Sequence, residues 1–195
     1  MAMKKVLFTL IVSFFSVTLF AQSFGVRAGI NIANVNIKSQ GFSIKPSTNI
    51  GLNAGVFANF KLAVNVSLQP ELAYSGMGYK VDLSGVSGTE NTSYITLPLL
   101  VKFKVPETGL GIYAGPQYGL LISAKDKSDG QTQDAKDNYK SSDVAAVFGA
   151  EYALDFGLFF SARYQAGLSN VAKTDQGDNT TVKNNSVTLL VGFKF

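Results

Sequence analysis

Two carboxylates and four cations occupy polar positions in segments where apolar and polar residues otherwise alternate. These six residues are Arg27, Glu71, Lys102, Glu151, Arg163 and Lys194. If the segments enclose an interior, the charges must pair there, because an isolated charge away from water is strongly unfavourable. Such a lumen charge network would either fill the interior and fix strand register, or line a narrow ion pathway or gate. Its excess positive charge would in the second case favour anions.

The residue types give little support to catalysis. The sequence has no cysteine and no histidine, the residue that most acid-base and nucleophilic mechanisms use as their base. No nucleophile lies beside an evident base, and the acidic residues of segment 126–137 are interleaved with lysines, as in a solvated loop. The stretch GLGIYAG (109–115) lacks the spacing and the following lysine of a nucleotide-binding loop. We therefore predict no enzyme activity, no cofactor, and no catalytic, cofactor-binding or metal-binding residue.

Eight strands are the elements that would position the charges. Apolar residues recur at every second position in 24–32, 50–60, 62–74, 94–103, 110–120, 143–154, 158–168 and 186–195. One face of these segments is bulky and uncharged, whereas the other carries glycines and the six charges. This arrangement is typical of a barrel in lipid, with its apolar face outward and a narrow interior filled by side chains. The predicted fold class is all-β, an eight-stranded antiparallel up-and-down transmembrane β-barrel.

The connections between the strands alternate in length. Tight turns are predicted around 59–62, at 105–109 and at 154–157, and long polar loops near 36–48, 80–92, 125–142 and 170–185. Short turns at one end and long loops at the other are typical of outer-membrane barrels, whose long loops face the exterior. A soluble periplasmic ligand-binding barrel would show the same alternation with its apolar face inward, and the alternation alone leaves that alternative open.

Three prolines, Pro70, Pro98 and Pro116, fall inside predicted strands. Proline cannot donate a hydrogen bond to a neighbouring strand, and a closed barrel has no free edge to accommodate it. Local β-bulges are therefore expected at these positions.

The N-terminus has the pattern of an export signal. Lys4 and Lys5 precede an uncharged apolar run over 6–20, which is followed by Ala21. This run of about 15 residues is too short for a membrane-spanning helix, so we expect a cleaved signal peptide over 1–21 and an outer-membrane barrel domain over 22–195. No basic block remains beyond the leader, so nucleic acid is not expected as a partner. Without cysteine, the exported fold contains no disulfide.

The last segment, NNSVTLLVGFKF (184–195), alternates up to Phe195. We expect this strand to pair with the first one and close the barrel, because an open sheet edge in lipid would leave backbone amides unsatisfied. A terminal aromatic residue resembles the signal by which the barrel assembly machinery recognises outer-membrane barrels. Phe195 is the candidate for this assembly signal.

Six segments of the chain together resemble a known family. They are GVRAGINIANV (25–35), SLQPELAYSGMG (67–78), YITLPLLVKF (94–103), YAGPQYGLLISAK (113–125), ARYQAGLSNV (162–171) and VGFKF (191–195). In this order they resemble the small PorT-like outer-membrane β-barrel proteins of Bacteroidetes, and the similarity spans essentially all of the mature chain. The resemblance implies an eight-stranded barrel in the outer membrane and little about chemistry.

The function predicted from these observations is that of an integral outer-membrane barrel with a side-chain-filled lumen and a structural or surface-interaction role through four extracellular loops. A narrow pore or transporter for small solutes, anions among them, is the first alternative, and the soluble periplasmic barrel is the second. The expected partners are outer-membrane lipid, the barrel assembly machinery and an extracellular partner that the sequence does not identify. The barrel is expected to be a monomer.

Overall fold

The computed structural model describes residues 23–39, 42–44, 47–83, 86–128, 131–173 and 180–195, and the predicted leader over 1–21 lies outside them. The strands are β1 (Ser23–Ser39), β2 (Phe42–Ile44), β3 (Ser47–Lys61), β4 (Val66–Leu83), β5 (Val86–Lys104), β6 (Leu110–Ser128), β7 (Gln131–Asp134), β8 (Ser142–Ala153), β9 (Leu158–Gly167) and β10 (Thr181–Lys194). A short 3-10 helix spans Lys136–Asn138. Within the described ranges, no helix has the length and apolar character needed to cross a membrane.

Eight of the described strands form a closed antiparallel barrel. Their order is β10-β9-β8-β6-β5-β4-β3-β1, and pairing of β1 with β10 joins the two ends. The closing register runs from Gly25 opposite Lys194 to Lys38 opposite Thr181. The short strands β2 and β7 pair with β1 and β6, outside this ring. The predicted eight-stranded antiparallel barrel is confirmed.

The bulky apolar face of the barrel points outward. Phe24, Leu52, Ile112 and Phe160 are about half exposed on the outer wall, whereas polar residues such as Asn31 are buried in the lumen. A continuous belt of exposed apolar side chains is unfavourable in water and suits the hydrocarbon of a bilayer. The soluble alternative requires the opposite orientation, so this structure does not fit it.

Tight turns close one end of the barrel. The turns at 105–109 and 154–157 lie where the sequence predicts them. The third turn was expected around 59–62 but spans 62–65, and backbone hydrogen bonds from Leu62 and Ala63 to the carbonyl of Val66 close it. The prediction is shifted because Leu62 and Val64 continue the apolar alternation, although both are exposed in the turn.

The strands at the opposite end extend far into the segments predicted as loops. β4 and β5 stay paired as far as Leu83 and Val86, and β6 continues to Ser128 before it pairs with β7. The predicted loop at 80–92 is therefore largely hairpin, and so is the first part of the one at 125–142, as far as Asp134. The apolar alternation ends earlier than the strands, because a hairpin with water on both sides needs a backbone ladder but no apolar face.

The sheet passes all three strand prolines without a bulge. The pairs there are Pro70 with Leu99, Pro98 with Gln117 and Pro116 with Ala146, each in the register of the flanking pairs. The register shifts lie elsewhere, between Thr48 and Asn53 on β3 and between Ser93 and Tyr94 on β5. The expectation of bulges at the prolines is wrong. Each proline removes one donor, and the neighbouring pairs hold the register.

Candidate functional site in the barrel lumen

Glu71 lies in the lumen between two arginines. Its Oε2 atom is 2.8 Å from Arg27 Nη2 and 2.9 Å from Arg163 Nη1, and Arg163 Nη2 donates to Oε1 at 3.2 Å. The three residues project from β4, β1 and β9, and all are buried. This triad joins strands from different parts of the barrel wall. Its paired side chains therefore extend across the lumen.

A second ion pair lies nearer the end with the tight turns. Lys102 of β5 donates to Glu151 Oε2 of β8 at 2.7 Å, and both side chains are buried. Lys194, the last of the six predicted charges, is not part of either cluster. It is half-buried and lines a cavity of about 410 Å³ at the mouth of the lumen, together with Lys61 and Lys104. Among the described residues, no carboxylate lies within ion-pair distance of Lys194.

Uncharged polar side chains form a further part of the lumen that the charge pattern did not reveal. Asn31 donates to Ser75 at 2.9 Å and accepts from Thr188 at 2.8 Å and from Asn53 at 3.1 Å. Arg27 Nη1 donates to Asn53 Oδ1 at 2.6 Å, which connects this cluster to the triad. These residues stand at the polar positions of the alternating segments, so their inward orientation was predictable, whereas their partners were not.

Tyr113 packs against the triad from β6. Its hydroxyl group is 2.5 Å from Ser161 Oγ, and the guanidinium carbon of Arg163 lies 5.3 Å from the centre of its ring. The ring occupies the space above Gly149 on the neighbouring strand, where a Cβ atom would overlap it. The absence of a Cβ atom at Gly149 therefore leaves room for the Tyr113 ring in the lumen.

The end of the lumen opposite the tight turns contains a cluster of buried apolar side chains. This apolar cluster consists of Ala33, Val35, Met77, Tyr94, Leu121, Ala124, Ala135, Tyr139, Val171 and Val182. Ala135 and Tyr139 belong to the segment between β7 and β8, which folds inward: Tyr139 pairs with Ala172, and Lys140 N–H donates to the carbonyl of Val171 at 2.8 Å. The sequence predicts a polar loop over 125–142 with solvated acidic residues, and Asp126, Asp134 and Asp137 are indeed exposed. The burial of Ala135 and Tyr139 was not predicted, although an aromatic residue among polar neighbours could have indicated it.

Ionisable groups gather beside this segment, above the apolar belt. Tyr79 donates to Glu90 Oε2 at 3.4 Å, and burial raises the pKa of both groups. Burial also raises the pKa of Tyr139, to which the neighbouring Tyr79 and Glu90 contribute. The three residues come from β4, β5 and the inward-folded segment, so they connect that segment to the β4–β5 hairpin.

Comparison with known families and structures agrees with the outward apolar belt. Residues 20–173 match the profile of the outer membrane protein beta-barrel domain. The chain belongs to this family. Membership places the barrel in the outer membrane. A search of curated proteins found no match.

Two solved outer-membrane barrels illustrate the shared fold. Neisserial surface protein A is similar with a TM-score of 0.57 and 16% identity, over 88% of this chain and 97% of that one. Ail, the attachment invasion locus protein of Yersinia pestis, crystallised with the heparin analogue sucrose octasulfate, gives a TM-score of 0.51 and 18% identity over 89% of this chain and 98% of that one. At such identities the similarity shows the fold alone.

Proposed function

We propose that this outer-membrane barrel has a closed lumen and acts through its extracellular hairpins. The observation that supports this proposal is the succession of three side-chain layers across the lumen. They are the Lys102–Glu151 pair, the Arg27–Glu71–Arg163 triad and the apolar cluster around Tyr139. A buried ion pair and a packed apolar layer are both costly to open, because the separated groups lose their partners.

The surface offered to a partner is the outer part of β4 to β7. The polar and exposed side chains there are those of Lys80, Lys125, Asp126, Lys127 and the four residues of β7. Together with half-buried Glu90, the described charges number three positive and three negative. Such a surface has no excess of positive charge that would favour a sulfated polyanion like the heparin analogue bound by Ail. We propose a protein or neutral glycan as the extracellular partner, bound by hydrogen bonds and mixed charges.

Conductance of the folded barrel in a planar bilayer tests the closed lumen. Wild type is expected to insert without steady current, whereas Glu71→Ala or Glu151→Ala, each of which removes the acceptor of an ion pair, is expected to leak. Glu107→Ala, in the exposed 105–109 turn, is the matched control and should stay silent. Steady anion-selective current from wild type would overturn the closed lumen and favour the narrow-pore alternative.

We further propose a family relationship and an export signal from features of the sequence. The six segments described above support kinship with the PorT-like barrels of Bacteroidetes. The apolar leader supports export with cleavage after residue 21, which N-terminal sequencing of protein from outer-membrane fractions would test.

We also propose that the barrel is a monomer without catalytic function, and that Phe195 is the residue recognised by the assembly machinery. Phe195 stacks on Phe24 with ring centres 5.2 Å apart, and its ring is still largely exposed.

A further inference from the structure

The buried part of the lumen charge network contains unequal numbers of positive and negative groups. Arg27 and Arg163 share the single carboxylate of Glu71, whereas Lys102 and Glu151 neutralise each other. Asp143, which is also buried, lies towards the outer end, where its oxygens accept from Ser169 at 2.8 Å and Asn184 at 3.0 Å. The triad therefore keeps one positive charge without a partner in contact, and burial makes such a charge unfavourable.

Hydrogen-bond donors without acceptors lie beside this charge. Arg163 Nε, Gln165 Nε2 and Ser186 Oγ are buried and have no hydrogen-bond partner. Sheet register brings them together on the lumen face: Gln165 pairs with Ser186 across β9 and β10, and Arg163 lies two positions from Gln165 on the same face. Directly opposite residues have Cβ atoms about 4.5 to 5.5 Å apart and diagonal neighbours about 7 to 8 Å apart, so side chains of this length can reach one shared acceptor.

Gln165 uses its amide oxygen for its other contact. Gln117 Nε2 donates to Gln165 Oε1 at 2.9 Å, so the amide nitrogen of Gln165 is the end left without a partner. Thr188, opposite Arg163, already donates its hydroxyl hydrogen to Asn31 Oδ1 at 2.8 Å. The patch formed by Arg163, Gln165 and Ser186 can thus offer a guanidinium N–H, an amide N–H and a hydroxyl, while no acceptor of the described residues satisfies them.

We propose that this patch binds a small monovalent anion, which in the cell would be chloride. A halide ion accepts hydrogen bonds from several donors and supplies the negative charge that the triad lacks. Water could accept two hydrogen bonds there, but its own hydrogens would need acceptors and the charge would stay unbalanced. The anion would thus be an internal counterion that completes the closed lumen, at a site with no role in catalysis or conduction.

Bromide and chloride serve as the probes. Crystals of the folded barrel grown in sodium bromide are expected to show an anomalous difference peak within hydrogen-bonding distance of Arg163 Nε and Gln165 Nε2. In solution, the thermal unfolding midpoint in detergent should be higher in sodium chloride than in sodium gluconate at equal ionic strength. It should also rise by equal increments for each tenfold increase in chloride above the dissociation constant.

Two variants and a control connect the effect to the patch. Gln165→Leu removes a donor and Arg27→Gln removes the excess charge, so each should abolish the difference between chloride and gluconate. Thr92→Val removes a buried hydroxyl from β5 and should preserve that difference. Equal midpoints of wild type in the two salts, or a bromide derivative without a peak at the patch, would overturn the proposal without reference to any variant.

Discussion

The substitution Glu71→Gln is the most informative single change in the lumen. It keeps the shape of the side chain and removes the charge that Arg27 and Arg163 share at 2.8 and 2.9 Å. Removing one partner of a buried ion pair costs about 3–5 kcal/mol, because the other charge stays buried and unpaired. Two guanidiniums lose their partner here, so we expect the free energy of unfolding to fall by about 5 kcal/mol, the upper end of that range.

Arg27→Gln is the matched comparison, because it removes the arginine instead of the carboxylate from the contact between Arg27 and Glu71. It leaves Glu71 with both of its hydrogen bonds to Arg163, at 2.9 and 3.2 Å. The loss is then that of charge-assisted hydrogen bonds, about 1.5–3 kcal/mol. Glu107→Gln changes an exposed turn carboxylate and should alter stability by no more than about 0.5 kcal/mol.

Equilibrium unfolding in urea, with the barrel refolded into micelles or vesicles, measures these differences. Far-ultraviolet circular dichroism is the suitable signal, because the chain contains no tryptophan. The predicted order of destabilisation is Glu71→Gln, then Arg27→Gln, then Glu107→Gln. The reasoning is refuted if Arg27→Gln costs as much as Glu71→Gln, since the carboxylate would then not be the common partner of both arginines.

Four further predictions concern other parts of the barrel. Gly149→Ala places a Cβ atom against the Tyr113 ring and should cost about 1–3 kcal/mol, whereas Gly88→Ala, with nothing within 4 Å of the added atom, should be nearly neutral in the same unfolding assay. Tyr139→Ala should release the segment between β7 and β8 and make it sensitive to protease in the folded barrel; unchanged digestion, or equal digestion of the exposed-site control Asp137→Ala, would contradict the role of Tyr139 in closing the lumen. Burial raises the pKa of Glu90 in the folded hairpin, so protonation of this carboxyl stabilises the folded form. The stabilisation is fully present below the unfolded pKa and is lost as pH rises through the folded pKa. Hydrogen exchange of the β4–β5 hairpin, corrected for intrinsic rates, should therefore be slower at acidic than at neutral pH, and Glu90→Gln should remove the difference. Phe195→Ala should lower the yield of folded barrel in outer membranes more than Phe156→Ala does, since Phe156 is an exposed aromatic residue in the turn at 154–157; equal yields would count against an assembly signal at Phe195.

The sequence contains enough information to predict the barrel because the bilayer imposes one rule on every strand. Side chains such as Phe24 and Ile112 must face lipid, and every second position repeats that requirement, so the alternation shows both the strands and their orientation. This requirement does not apply beyond the membrane. The alternation therefore did not predict the outer parts of β4 and β5, where backbone pairing, as between Lys80 and Thr89, holds the sheet without an apolar face.

Partners across the lumen were less predictable than the inward orientation of the residues. Glu71 could in principle have paired with Lys102 as well as with Arg27, because both face the interior. Which of them it contacts depends on strand tilt and register around the whole ring, and no local pattern contains that information. The inward fold of Tyr139 has the same origin, since a single aromatic residue in a polar segment gains burial only when the rest of the barrel provides a place for it.

Closure of the ring by β1 and β10 has a consequence for biogenesis. Asn31 and Thr188, which meet across this seam, are 157 positions apart along the chain. Contacts between distant parts of a chain form slowly, because a large loss of chain entropy precedes them. Until β10 arrives, the backbone groups along one side of β1 have no partner, and hydrocarbon would make that edge highly unfavourable. Strands that enter the bilayer before β10 would therefore need another partner for the open edge of β1, such as a strand of the assembly machinery.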